Sequence, residues 1–439
     1  MILRLTLAAL AFAATLATPL RAEIAIQEVT SPGGIKAWLV EDHNIPFMAL
    51  EIRFRGGTSL DQPGKRGAVN LMTATLEEGA GDLDAQGFAA ARDGLAAQIG
   101  FGANSDEISV SVQALSENRA AAMDLLRLAL TEPRFDETAL DRVKGQVLAG
   151  LRADEQDPSA IAGRVFSARA YGEHPYGSSG DGTIDSVTAL VRDDIIAAWQ
   201  GTMARDRIYV AAAGDITAEE LGLLLDKLFA GLPATGWPMP PKATWNDAGG
   251  ISIQDFPGPQ SVVLFGHSGI AFDDPDFFAA NLLNDILGGG RFSARLMQEV
   301  REKRGLTYGI GTGLSSRDLS QEWVGQFQAS NDKVTEAIDV VRAEWARMAA
   351  GDVTEEDLTT AKTYMTGAYP LRFEGNGPIA SILVGMQMLG LPSDYPKTRN
   401  DKVNAVTLAD LQRVAARLMN PDHLFFKVVG QPVGLQSTE

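Results

Sequence analysis

The chain repeats itself, and that repetition constrains its fold more than any other feature. Residues 108–114 (ISVSVQA) alternate apolar and polar side chains as a half-buried strand does, and helical spacing follows over 120–130. Residues 323–329 (WVGQFQA) play the same part in the second half, before a helical stretch over 334–348. Leu140, Val143, Val147 and Leu151 then recur at helical spacing, matched by Leu358, Ala361, Met365 and Leu371. Thr354 and Asp357 carry the signature of a capping box at the start of that second helix. A helix over 190–199 leads to a strand at 208–212 and Gly214, and a helix over 407–419 leads to a strand at 424–429 and Gly430. The offset stays near 215–220 residues. Four elements in one order at one spacing mark a duplication.

Between the copies, residues 233–249 hold Pro233, Pro238, Pro240 and Pro241, a density that neither a helix nor a central strand sustains. The expected organisation is therefore a first domain over 23–232, a linker over 233–249 and a second domain over 250–439. Strands and helices mix without strict alternation, so each domain is read as α+β: a largely antiparallel sheet with helices packed on one side.

The first 22 residues read as an address. Arg4 precedes an apolar run over 5–16, and Pro19 and Ala22 come just before the polar Glu23. That is the pattern of a secretory signal peptide, too short for the roughly 20 residues of a membrane span. The expected location is periplasmic or secreted, with no stable membrane insertion once the leader is removed.

Composition narrows the chemistry. Lys and Arg number 38 against 56 Asp and Glu, a net charge of −18 that would repel phosphate backbones, so no nucleic-acid partner is expected. No cysteine is present, which removes disulfides, thiolate metal sites and thiol nucleophiles. Four histidines remain (His43, His174, His267 and His423), scattered singly in turns or at strand ends without ligand spacing. Glu77, Glu78, Asp154 and Glu155 read as solvated helix ends, and Trp38, Trp199, Trp323 and Trp345 as core residues.

The most distinctive stretch is Gly288-Gly-Gly-Arg-Phe-Ser293, a loop leading to an expected helix with Ser293 as its N-cap and Leu296, Met297 and Val300 as its apolar stripe. Arg301-Glu-Lys-Arg-Gly-Leu-Thr-Tyr308 and a Gly-Ile-Gly-Thr-Gly run follow. No phosphate-binding lysine accompanies these glycines, and they trail a helix instead of joining a strand to one, which argues against nucleotide binding.

The string FSARLMQEVREKRGLTYGIGTG resembles the second-domain signature of the pitrilysin / insulinase / mitochondrial-processing-peptidase family of zinc peptidases. The resemblance implies a duplicated α+β fold over nearly all of the mature chain. It also implies an inverted H-x-x-E-H zinc motif in the first domain of active members. In bacterial two-subunit members, one chain holds zinc while the other supplies an arginine and a tyrosine seven residues apart. Here the motif positions fall on Asn70, Thr73 and Ala74, and the downstream stretch 147–152 offers no carboxylate as a further ligand. A catalytic zinc needs about three protein ligands and a water, and a base to activate that water. This set supplies neither, so no metal and no cofactor are expected in this chain.

By contrast, Arg301 and Tyr308 match the family pair, with Arg304 as the rival to Arg301. The implied role is a clamp on the carbonyl of a peptide substrate in the site of a zinc-bearing homologous partner, forming a heterodimer inactive without it. Two alternatives stand beside this: a structural or peptide-binding protein on the same fold, and an independent zinc protease, against which Asn70, Thr73 and Ala74 speak.

Overall fold

A computed structural model describes residues 24–438; the leader expected over 1–22 lies outside the described residues. The first half builds β1 (Gln27–Thr30), β2 (Lys36–Glu41), β3 (Phe47–Arg55), the small pair β4 (Gly79–Ala80) and β5 (Leu83–Asp84), β6 (Gln98–Ala103), β7 (Glu107–Leu115) and β8 (Ile208–Gly214). The second half builds β9 (Gly250–Gln254), β10 (Gln260–Ser268), β11 (Ile310–Ser316), β12 (Gln321–Ser330) and β13 (Phe425–Val429). The large sheets run β1-β2-β8-β3-β7-β6 and β9-β13-β10-β12-β11. Each contains one parallel pair, β2 with β8 and β13 with β9, and is otherwise antiparallel. Apart from the added edge strand β1, the second sheet repeats the topology of the first.

Alternation along the strands decides which side chains enter which core. Met48, Leu50, Ile52 and Phe54 of β3 join one large apolar cluster, and Val263 and Phe265 of β10 join the other. Trp323 and Trp345 are fully buried in the second cluster. Trp199 packs at the margin of the first, whereas Trp38 lies with Leu383 and Val384 on the opposite face of the sheet.

That opposite face is where the halves interlock. Helix Asn376–Met388, from the second half, lays Ala380, Leu383 and Val384 on Ala49, Ala211 and Ala213 of the first sheet. The alanines on β3 and β8 leave room for a helix to approach closely. Reciprocally, helix Pro158–Tyr171 of the first half sets Ile161, Ala162 and Phe166 against Val262, Val429 and Phe425 of the second sheet. Each half's own helices cover one sheet face, and a helix of the other half shields part of the second.

Between Phe229 and Gly250 the chain forms no helix or strand, yet it is pinned to both halves. The Trp237 N–H donates to the Gly201 carbonyl at 2.7 Å, and the Ala243 N–H to that of Leu319 at 2.8 Å. The β11–β12 turn adds a bridge in which Arg55 of β3 grips Asp318 with both branches of its guanidinium, Nε at 2.7 Å.

Local expectations need three corrections. Leu371 is not on the helix of Leu358: that helix ends at Ala368, and Leu371 is exposed in a following 3-10 turn that Pro370 opens. The helix expected from residue 190 begins at Arg192. Ser293 caps no helix; its Oγ accepts from Arg291 Nη1 at 3.3 Å, and Met297–Glu302 is a π turn entered from Leu296.

Candidate functional site

A cavity of about 980 Å3 lies between the halves. One wall is Ser159 and Phe166 of helix Pro158–Tyr171. The floor is the face of the second sheet, with Val262 and Leu264 of β10 and Gln326 and Gln328 of β12. Register continues that face onto β11, an edge strand, where Leu264 and Gln326 align with Gly311. Gly288, Gly289 and Gly290 form the rim, and among the described residues no charged side chain lines the cavity. An edge strand beside this cleft suits an extended chain, because backbone groups along such an edge have no partner in the sheet.

Tyr308 stands on this rim, 89% exposed, between the π turn and β11. The backbone reaches it through Gly305, whose φ of +60° lies in the left-handed region that glycine enters without strain. There the Gly305 N–H donates to the Arg301 carbonyl at 2.8 Å and the Leu306 N–H to that of Val300 at 2.9 Å, closing the turn. Buried Val300 and Leu306 anchor it in the second core.

Arg301 belongs to the π turn, in which the Lys303 N–H reaches back five residues to the Gln298 carbonyl at 2.9 Å. Such turns are rare and concentrate at functional sites. Its guanidinium does not line the cavity. It stacks 4.8 Å from the ring centre of Phe292, and one nitrogen lies 3.1 Å from Glu302. Arg301 and Tyr308 make no direct contact with each other in this conformation. The surrounding arginines are otherwise employed. Arg304 donates to the Glu299 carbonyl at 2.7 Å and its carboxylate at 2.6 Å, Arg295 to Asp357 at 3.0 Å, and Arg291 to Asp285 at 3.2 Å. Burial pushes the Asp285 carboxyl above its ordinary range, against the pull of Arg291. Arg301 alone among these four arginines donates no hydrogen bond from its guanidinium to the described protein.

Helix Ala68–Ala74 carries the positions matched to the zinc motif. Thr73 is buried, 3% exposed, and its hydroxyl donates to the Val69 carbonyl at 2.8 Å. Asn70 is half-buried and Ala74 exposed. The helix start is held by Asp61, which accepts from the Val69 N–H at 2.8 Å and the Gly67 N–H at 2.9 Å. Neither a hydroxyl committed to the backbone nor a methyl group is a zinc ligand, so this donor set does not fit the metal. Among the described residues no group of three or more His, Asp or Glu side chains is placed to hold an ion.

The histidines serve separate ends. His43 Nδ1 lies 2.7 Å from Asp215, and His174 Nε2 lies 3.0 Å from the Pro241 carbonyl. His267 stands near the end of β10, a strand end as expected, but it is a core residue and not a surface one, and its Nε2 accepts from Trp345 Nε1 at 3.0 Å. Glu77 and Glu78 are held in ion pairs, by Arg92 at 2.8 Å and by Arg142. What sequence reasoning missed is the wall given by Phe166 and the stack of Arg301 on Phe292. The first arises from helix exchange, and no local pattern announces the second.

Comparison with known proteins agrees with this geometry. Residues 189–365 match the family described as the peptidase M16 inactive domain. The chain is 24% identical over 390 residues to the non-peptidase homolog YmxG of Helicobacter pylori, covering 89% of this chain and 90% of that one. It is 21% identical over 340 residues to the mitochondrial-processing peptidase subunit beta of Neurospora crassa, covering 74% and 70%. A crystal structure of a peptidase M16 inactive domain from Pseudomonas fluorescens superposes with a TM-score of 0.88 at 28% identity, over 94% of this chain and 100% of that one. Over residues 189–365 the chain matches the inactive-domain family of M16 peptidases, and over most of its length it is similar to the M16 inactive-domain structure from Pseudomonas fluorescens.

Proposed function

We propose that this protein is the zinc-less subunit of an exported M16 peptidase, and that Arg301 and Tyr308 bind and polarise a peptide substrate in the site of a zinc-bearing partner chain. One observation carries the reading: an almost fully exposed phenol on the rim of a peptide-sized cleft, seven residues from an arginine of which only Nη1 faces a carboxylate, that of Glu302 at 3.1 Å. In this reading the two side chains act as donors. The Arg301 fork and the Tyr308 hydroxyl point hydrogen bonds at a peptide carbonyl oxygen and favour the charge it gains during attack. The matched motif positions Asn70, Thr73 and Ala74 cannot complete a metal site here, so the metal chemistry belongs to the partner. Peptide enters extended, along the edge of β11.

The test is reconstitution. The purified chain alone cleaves no quenched-fluorescent peptide, and mixing it with an H-x-x-E-H homologue from the same genome produces cleavage. Arg301→Ala and Tyr308→Phe each lower turnover, on the order of a hundredfold for an essential oxyanion donor, without changing assembly on a sizing column. Unchanged turnover in both variants overturns the assignment. The name of the Helicobacter pylori relative, a non-peptidase homolog, favours a second reading as a structural or peptide-binding protein. That reading gains if peptide binds and no partner restores cleavage.

A further inference from the structure

Phe292 has no evident structural reason to be where it is. It ends the glycine rim, 66% exposed, and packs into neither large apolar cluster. An isolated exposed phenylalanine contributes little to folding. Yet its backbone is fixed, since Gln298 Nε2 donates to the Phe292 carbonyl at 2.7 Å, and the Arg301 guanidinium lies 4.8 Å from the centre of its ring. Among the described residues, the other group engaging that guanidinium is the adjacent Glu302, 3.1 Å from Nη1. An aromatic face attracts a cation without occupying its N–H groups, whereas a carboxylate consumes them. Arg291, Arg295 and Arg304 show the second arrangement; Arg301 shows the first together with a single ion-pair contact, Nη1 to Glu302 at 3.1 Å.

We infer that Phe292 is a positioning residue: its ring holds the Arg301 guanidinium in the segment that leads to the cleft-rim Tyr308, while leaving Nε and Nη2 free to donate to substrate. This rests on the role proposed for Arg301 and adds to it the group that pre-organises it. A flexible arginine that must be ordered at each encounter loses part of its binding energy to side-chain entropy, and the stack lowers that loss.

The experiment uses the reconstituted pair and a quenched-fluorescent peptide, with Phe292→Leu, Phe292→Tyr, Arg301→Ala and the double variant Phe292→Leu/Arg301→Ala. Phe292→Leu is expected to lower kcat/KM about two- to fivefold, the ratio corresponding to an exposed cation–π contact. Phe292→Tyr, which restores the ring face, should recover it. The double variant should match Arg301→Ala alone, because Phe292 acts only through Arg301. Independent losses that multiply, or a Leu variant equal to wild type while Arg301→Ala is impaired, overturn the positioning role and leave the role of Arg301 standing. Unchanged turnover in Arg301→Ala overturns both. A partner-independent measurement accompanies this: in 15N-arginine-labelled chain, the Arg301 Nε–Hε resonance is shifted by the ring and moves to the solvent-exposed position in Phe292→Leu. A resonance that does not move overturns the stack itself.

Discussion

Acidification should weaken this fold through His267, with a sign that follows from its surroundings. The ring is buried between Trp323 and Trp345, with centroids 5.9 and 5.4 Å away. Nε2 accepts from the Trp345 indole N–H, so Nδ1 carries the proton and donates to the Ser268 carbonyl at 2.6 Å. A second proton would confront the indole N–H inside an apolar core. Burial accordingly holds the imidazole below its ordinary value of 6.5. The unfolded chain therefore binds more protons than the folded one as pH drops through that value. Stability is complete above pH 6.5 and is lost on the acid side, at up to about 1.4 kcal/mol per pH unit until the folded ring itself titrates. His174, lowered chiefly by desolvation, acts in the same direction. His43, raised by its hydrogen bond to Asp215, acts in the opposite one: its contribution is present below 6.5 and lost as pH rises through its folded value. Urea unfolding followed by tryptophan fluorescence at pH 7.5, 6.5 and 5.5 separates these effects. Subtracting a His267→Phe variant from wild type cancels His43 and His174. The expected outcome is a wild-type advantage over the variant that shrinks between pH 6.5 and 5.5, by at most about 1 kcal/mol. Parallel profiles for the two proteins would refute the argument.

Other consequences are as direct. Asp61→Ala removes the acceptor for two N–H groups at the start of helix Ala68–Ala74 and should cost about 2 kcal/mol, read as a lower thermal midpoint by circular dichroism. Thr354→Ala breaks a complete capping box, and about 1 kcal/mol of stability should go with it in urea titrations. Writing the zinc motif back, as Asn70→His/Thr73→Glu/Ala74→His, should not create a metallopeptidase. A glutamate at the buried position 73 is forced into apolar surroundings, and stretch 147–152 supplies no further ligand. After dialysis, elemental analysis of that variant should find well under one zinc per chain; a stoichiometric ion would show the position to be more adaptable than its burial implies.

Legibility varied with the range of the interaction. The strand at 108–114, its counterpart at 323–329 and the Thr354 capping box were readable because each depends on neighbours two to four residues away. Leu371 failed that reading because helical spacing does not stop at a proline, whereas the helix does. The π turn failed it because one extra residue per turn leaves the apolar stripe of Leu296, Met297 and Val300 unchanged.

The site divides along the same line. That the matched motif positions lack ligands is a property of side-chain chemistry, and the letters at 70, 73 and 74 suffice to establish it. Likewise the duplication, the net charge and the absence of cysteine belong to the sequence alone. Tertiary structure decided that helix Pro158–Tyr171 crosses to wall a cleft on the second sheet, that Tyr308 stands at its rim, and that Arg301 stacks on Phe292 while Arg304 is consumed by Glu299. Those outcomes depend on which surfaces meet once both cores have formed, and contacts between groups distant along the chain leave no periodic trace in the order of residues.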